Sequence, residues 1–408
     1  MRRRRARPAR PGRLGLAALA IGLVLPGCGG GGGSGSSAGS GTSGAVNNVQ
    51  PLQVNFGPAN DLVNGLFTSV TICVPGTSTC QTIDGIEVDT GSTGLRLLAS
   101  QVTLALPRSK DAGGSPLANC ISFVDNSYGW GAVATADVRM AGEQASAVPI
   151  QLIASPDVPA PPSDCSSGGT AADTVSALGA RGLLGVGVFR EDCGSACARV
   201  TRIPSVYFTC GAAGCTPASV ALGSQIQNPV FRFPQDNNGV LVSLPAVPDL
   251  GAPTVAGSLI FGIGTQSNNA LGSAHVYTTD DVGDMTTAFQ GSTYSSYLDT
   301  GSNGLYFQDS DTIVLPACPG EDSGFSCPPS IVSFTATNTG ANAFSAAVSF
   351  KVANAETLFN TNNAALNDLA GPDTGDFDWG LPFFFGRNVF VGIEGQTTPG
   401  GAGPYWAY

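Results

Sequence analysis

The sequence predicts an all-β protein of two similar lobes, and two observations carry that expectation. Charged residues are only 12% of the chain, whereas glycine and proline number 56 and 28, so long amphipathic helices are scarce and turns are frequent. The second observation is an internal repeat: a segment of the first half recurs in the second, as expected of a chain whose halves fold alike.

From the N-terminus, seven arginines among the first thirteen residues precede an apolar run from Leu14 to Leu25 and then Pro26-Gly27-Cys28. That order is a secretory signal. The run is too short for a permanent membrane span, which needs ~20 residues, so residues 1–27 are expected to be removed. Leu25-Pro26-Gly27-Cys28 resembles a bacterial lipobox, in which the cysteine becomes the lipidated first residue. Five glycines and further small residues follow, and residues 28–48 read as a flexible tether. The expected location is the bacterial cell envelope, with membrane contact through a lipid on Cys28 only.

Without residues 1–27, eleven basic residues face 29 acidic ones, a surface that repels nucleic acid and anionic lipid. His275 is the single histidine, which excludes a polyhistidine metal site; it reads as a surface strand residue rather than a base. Neither metal nor cofactor is expected. Ten cysteines remain after Cys28: Cys73/Cys80, Cys193/Cys197, Cys210/Cys215 and Cys318/Cys327 lie close in sequence, and Cys120 and Cys165 are left over. In an exported chain they read as disulfides, with the pairing open, and finger-like zinc spacing is absent.

About 360 residues follow the tether, enough for two domains with their own cores, placed at 49–225 and 226–408. Short β-branched and aromatic runs bounded by turn residues mark strands at 67–74, 86–88, 133–140, 148–153, 230–233, 240–244, 258–262, 331–336, 346–352 and 388–393.

The repeat pairs Val88-Asp89-Thr90-Gly91-Ser92-Thr93-Gly94-Leu95-Arg96-Leu97 with Leu298-Asp299-Thr300-Gly301-Ser302-Asn303-Gly304-Leu305-Tyr306-Phe307. A lone Asp-Thr-Gly is an ordinary turn. Two copies with related flanks, one per half, call for a common role. Each runs from an apolar strand into a tight turn, with Asp at the strand end and Gly for backbone freedom. If the halves pack about a pseudo-two-fold axis, the two carboxylates face each other and share one proton. One can then deprotonate a water while the other donates to a scissile carbonyl.

These motifs resemble those of the pepsin-like aspartic proteases, and the likeness extends along residues 50–395. Phe67 to Cys80 looks like that family's first hairpin, Tyr128-Gly129-Trp130-Gly131 its flap, and Gly182-Leu183-Leu184-Gly185 the segment beneath the first catalytic loop. Trp379-Gly380-Leu381-Pro382-Phe383 looks like the second such segment. The resemblance implies Asp89 and Asp299 as the catalytic pair. It also implies Thr90 and Thr300 as cross-braces with Gly91 and Gly301 in the turns, Ser92 and Ser302 as donors to the outer carboxylate oxygens, and Tyr128 as the flap residue. Two residues depart from the pattern: Arg96 replaces an aromatic that orders the flap, and Pro382 stands at the usual glycine. A cation at Arg96 would lower the pKa of a nearby Asp.

The expected function is an aspartic-type endopeptidase, a monomer acting on peptide or protein. The alternative is a pepsin-fold lipoprotein that binds without turnover.

Overall fold

The computed structural model describes residues 48–408, apart from 112, 167, 213, 309–314 and 374. The segments expected as signal peptide and tether lie outside the described residues, apart from residue 48, and so does Cys28. Among the described residues, helices are limited to short pieces such as Val175–Leu178 and Ala355–Asn360, and none is long and apolar enough to cross a membrane.

One arrangement is built twice. In the first half, the hairpin of strands Gly65–Cys73 and Cys80–Asp89 is closed by the Cys73–Cys80 disulfide. Cys80–Asp89 then pairs in parallel with Gly182–Val186, which brings Asp89 opposite Gly185, and Thr93–Leu98 returns antiparallel to the same partner. In the second half, Ser292–Asp299 pairs in parallel with Asp376–Gly380, which brings Asp299 opposite Gly380, and Leu305–Phe307 returns antiparallel. The expected fold class is correct: this is an all-β, two-lobed pepsin-like architecture with an approximate two-fold relation between its motifs.

A fifteen-stranded sheet runs across both halves. Its seam is strand Val49–Asn55, which pairs with Gly65–Cys73 on one side and with Val255–Phe261 on the other. The first half packs aliphatic side chains beneath its motif, among them Val70, Ile86, Val88, Leu95, Leu97 and Leu184, all at most 1% exposed. Burying each such side chain contributes about 1.5–3 kcal/mol. The second half uses rings: Phe289, Phe307, Phe334 and Phe377 meet edge-on or stacked, and Trp379 packs on Phe377. These side chains form one continuous buried cluster rather than the two separate cores expected, and it includes Val88 and Leu298, the residues just before each aspartate, so each motif is held from below.

Two sequence expectations are settled by this geometry. Residues 230–233 were expected as a strand, but Val230–Arg232 is a 3-10 turn. Pro229 and Pro234 flank it, and the Asn228 side chain accepts the Val230 N–H at 3.0 Å, so local capping overrides the β-branched composition. The four close cysteine pairs are bonded, and Cys120 and Cys165 form the fifth disulfide. Five disulfides belong to an oxidising compartment, outside the cytoplasm.

Candidate active site

Asp89 and Asp299 end their strands at the point where the two motif loops meet, and each is 1% exposed. Their loops interlock through the two threonines. Thr90 Oγ1 donates to the Leu298 carbonyl at 2.8 Å and accepts the Thr300 N–H at 3.0 Å. Thr300 Oγ1 donates to the Val88 carbonyl at 2.7 Å and accepts the Thr90 N–H at 3.1 Å. Four buried polar groups are thereby satisfied across the halves, which fixes the approach of the loops.

That approach demands glycine. A Cβ on Gly91 would lie 2.6 Å from Asp299 Cγ, and one on Gly301 would lie 2.9 Å from Asp89 Cγ. Each aspartate therefore faces the other motif's glycine at contact distance. Within each loop the Asp Oδ1 accepts a backbone N–H, from Gly91 at 2.8 Å and from Gly301 at 2.7 Å. Each Oδ2 meets a serine hydroxyl: Ser92 Oγ is 2.5 Å from Asp89, and Ser302 Oγ is 2.9 Å from Asp299.

Burial, then the Asp89 charge and the Asp378 charge, push the Asp299 carboxyl well above its usual range, against the pull of Gly301 N–H and Ser302. Two buried carboxyls this close are most stable with one proton between them. The arrangement is thus suited to hold one acid and one base side by side. Among the described residues, no cluster of three or more His, Cys, Asp or Glu side chains is arranged to hold a metal ion.

Asp378 was not anticipated. It lies two residues before Gly380, is 3% exposed, and its Oδ2 is 2.6 Å from Ser302 Oγ. The expected equivalence of Pro382 with a glycine is wrong for the same reason: strand register gives that place to Gly380, opposite Asp299 as Gly185 is opposite Asp89. A Cβ on Gly380 would lie 2.1 Å from the Gly304 carbonyl oxygen. Pro382 instead sits in the buried turn Leu381–Phe384 and lines a cavity of about 260 Å³ with Leu305, Phe350, Asp368, Trp379 and Arg387.

A family model described as "Protein of unknown function (DUF3443)" matches residues 44–408. The chain belongs to that family. No curated protein matches it. Among solved structures, the crystal structure of an aspartic proteinase from Irpex lacteus is similar at a TM-score of 0.47 and 12% identity, covering 88% of this chain and 96% of that one.

In this DUF3443 chain Arg96 is engaged by groups other than the paired aspartates. It is fully buried, and its guanidinium reaches Asp192 at 2.9 Å, Asn119 at 2.7 Å and Gln151 at 2.6 Å. Gln151 Nε2 in turn donates to the carbonyls of Asn119 and Gly129. These belong to the hairpin strands Leu117–Ser122 and Tyr128–Met140, so a polar network, rather than an aromatic, ties down the base of the expected flap. Tyr207 donates to the second Asp192 oxygen at 2.5 Å.

Tyr128 starts its strand opposite Ser122. Its N–H donates to the Thr170 carbonyl and its carbonyl accepts the Ala172 N–H. With Trp130, Val158 and Pro159 it lines a cavity of about 210 Å³. The structure thus gathers Asp89, Thr90, Gly91, Ser92 and their four counterparts into one cluster, while these Tyr128 contacts go to the loop at 155–173. A larger groove of about 650 Å³, lined by Pro51, Phe56, Pro58, Phe67, Asp84 and Arg181, touches neither motif. His275 is exposed and stacks on Phe344 at 4.5 Å, as expected of a surface residue.

Proposed function

We propose that the chain is an aspartic-type endopeptidase that hydrolyses peptide bonds with a water activated by Asp89 and Asp299. The observation that carries this reading is the mutual contact of the motifs, in which each aspartate abuts the glycine of the other loop. In this mechanism Asp299, whose carboxyl is pushed well above its usual range by burial and by its acidic neighbours, donates to the scissile carbonyl oxygen. Asp89 takes a proton from the water that attacks the carbonyl carbon, and returns it to the leaving nitrogen as the tetrahedral intermediate collapses, while Asp299 recovers its proton from the hydroxyl that becomes the product carbonyl. Ser92 and Ser302 orient the carboxyls, the threonines keep the loops at a fixed separation, and Tyr128 keeps the flap role only by resemblance, since its contacts go to the loop at 155–173. The substrate is a peptide or protein, and the acting unit is a monomer of two lobes, 49–225 and 226–408, tethered to the envelope by a lipid on Cys28.

The test is a fluorogenic peptide library assayed from acidic to neutral pH with the purified protein, together with binding of a statine-type transition-state analogue. Cleavage that vanishes in Asp89→Asn supports the reading. The burial of both aspartates favours a second reading, a pepsin-fold lipoprotein that binds without turnover; silence toward both library and analogue would establish it in place of the first. Fatty-acid labelling that is lost in Cys28→Ser would support the anchor.

A further inference from the structure

One of the differences between the two halves lies beside the paired aspartates. Strand register sets Leu183 opposite Glu87 in the first half and Asp378 opposite Tyr297 in the second, each two residues before the glycine, Gly185 or Gly380, that lies opposite Asp89 or Asp299. Leu183 and Asp378 are therefore counterparts. The serines then have different tasks. Ser92 Oγ meets the carboxylate of Asp89, whereas Ser302 Oγ lies between two carboxyls, 2.9 Å from Asp299 Oδ2 and 2.6 Å from Asp378 Oδ2.

A hydroxyl carries one proton, and each of those two contacts needs one. If Ser302 donates to Asp378, the proton in the other contact comes from Asp299. If it donates to Asp299, then Asp378 supplies the second proton. The ionisation of Asp378 and the position of the dyad proton are thus parts of one equilibrium.

We propose that Asp378 is a positioning residue for the dyad: when ionised, it turns the Ser302 hydroxyl toward itself and holds the shared proton on Asp299 Oδ2, which leaves Asp89 as the base. The proposal rests on the peptidase reading for its chemical purpose, although the proton linkage exists with or without turnover. Asp378 and Asp299 are 3% and 1% exposed, so the linkage operates where hydrogen bonds to charged groups are strong. The described titratable groups that face Asp378 are Asp299 and Asp89 beyond the hydroxyl, with Tyr297 and Tyr306 in register on the flanking strands. The Asp378 charge acts on Asp299 in the direction the proposal needs, after burial and Asp89.

The test is a carbon-13 NMR titration of the aspartate carboxyls, with the Asp299 signal assigned by its loss in Asp299→Asn. In Asp378→Asn the amide donates to Ser302, the hydroxyl turns to Asp299, and the ionised form of Asp299 gains a donor while losing a negative neighbour. Its midpoint should fall by on the order of one pH unit; an unmoved midpoint overturns the proposal. Should Asp378→Asn fail to fold, Asp378→Leu repeats the side chain of Leu183 and reads the same shift. If the wild type hydrolyses peptides, the alkaline limb of its pH profile should move down by the same amount, with KM little changed. A shifted midpoint without turnover sinks the peptidase reading and keeps the linkage. Turnover with an unmoved midpoint and limb does the reverse.

Discussion

Thr90 and Thr300 exchange their hydroxyls between the two halves of the chain: each accepts the other's backbone N–H, at 3.0 and 3.1 Å, and each donates to a carbonyl of the opposite strand. Valine has the same shape without the hydroxyl. Thr90→Val strands the Thr300 N–H and the Leu298 carbonyl, and Thr300→Val strands the Thr90 N–H and the Val88 carbonyl. Each substitution should cost on the order of 2–4 kcal/mol. The double variant should differ from the sum by about 0.5 kcal/mol or more, since the loops share one interface. Denaturant unfolding of the three variants checks this, and strict additivity would show that the brace is two independent contacts.

The dyad makes a stability prediction that needs no substrate. The folded-state pKa of Asp299 is raised well above its ordinary value of 3.8, so over that window the folded protein binds the proton that the unfolded chain has released. The sign follows: stability falls as pH climbs from about 4 toward the folded value. Asp299→Asn removes that penalty. It should raise the melting temperature near neutral pH and have little effect below pH ~4, and an equal shift at both would contradict the linkage.

Activity, where measured, should follow a bell whose limbs belong to the pair. Asp89→Asn and Asp299→Asn should each lower kcat by roughly 10²–10⁴-fold, with the double variant little worse than either. Losses that multiply would mean that the two aspartates act separately.

Arg96 and Asp192 are buried partners at 2.9 Å, with side chains 0% and 1% exposed. Burial pushes the Asp192 carboxyl up further than Arg96 and Tyr207 draw it down, so the pair is costly to split. Arg96→Met should destabilise by about 3–5 kcal/mol. It should also speed amide hydrogen exchange in Leu117–Ser122 and at Gly129, because Gln151 loses the group that aims it at those carbonyls. Unchanged exchange there would remove Arg96 from any part in ordering the flap.

The Cys120–Cys165 disulfide closes the longest loop of the five, with a separation of 45 residues. Loop-closure entropy alone gives about 4 kcal/mol for such a bridge. The paired Cys120→Ser, Cys165→Ser variant should lose more stability than the corresponding change at Cys193 and Cys197, which are four residues apart. The reverse order in thermal melts would show that strain or packing, and not chain entropy, sets the ranking.

The motifs were legible because duplication is visible without a structure: Asp89-Thr90-Gly91-Ser92 and Asp299-Thr300-Gly301-Ser302 identify each other. The all-β fold was legible from turn density and β-branched runs. Asp378 was hidden because Asp376-Phe377-Asp378 reads as an acidic turn, and only parallel register with Ser292–Asp299 turns it inward. The partner of Arg96 was hidden because Asp192 is 96 residues away. Residues 230–233 misled because apolar composition says nothing of two flanking prolines acting on backbone angles.

The exchange of threonine hydroxyls has a consequence for timing. Asp89 and Asp299 are 210 residues apart, and the strand beneath Asp299 ends at Gly380. Contacts of that sequence separation form late and slowly. A growing chain that has delivered only its first half holds Asp89 and nothing opposite it. The complete pair comes into being only when almost the whole polypeptide has emerged, so whatever chemistry the site performs stays silent while the chain is still being made and moved.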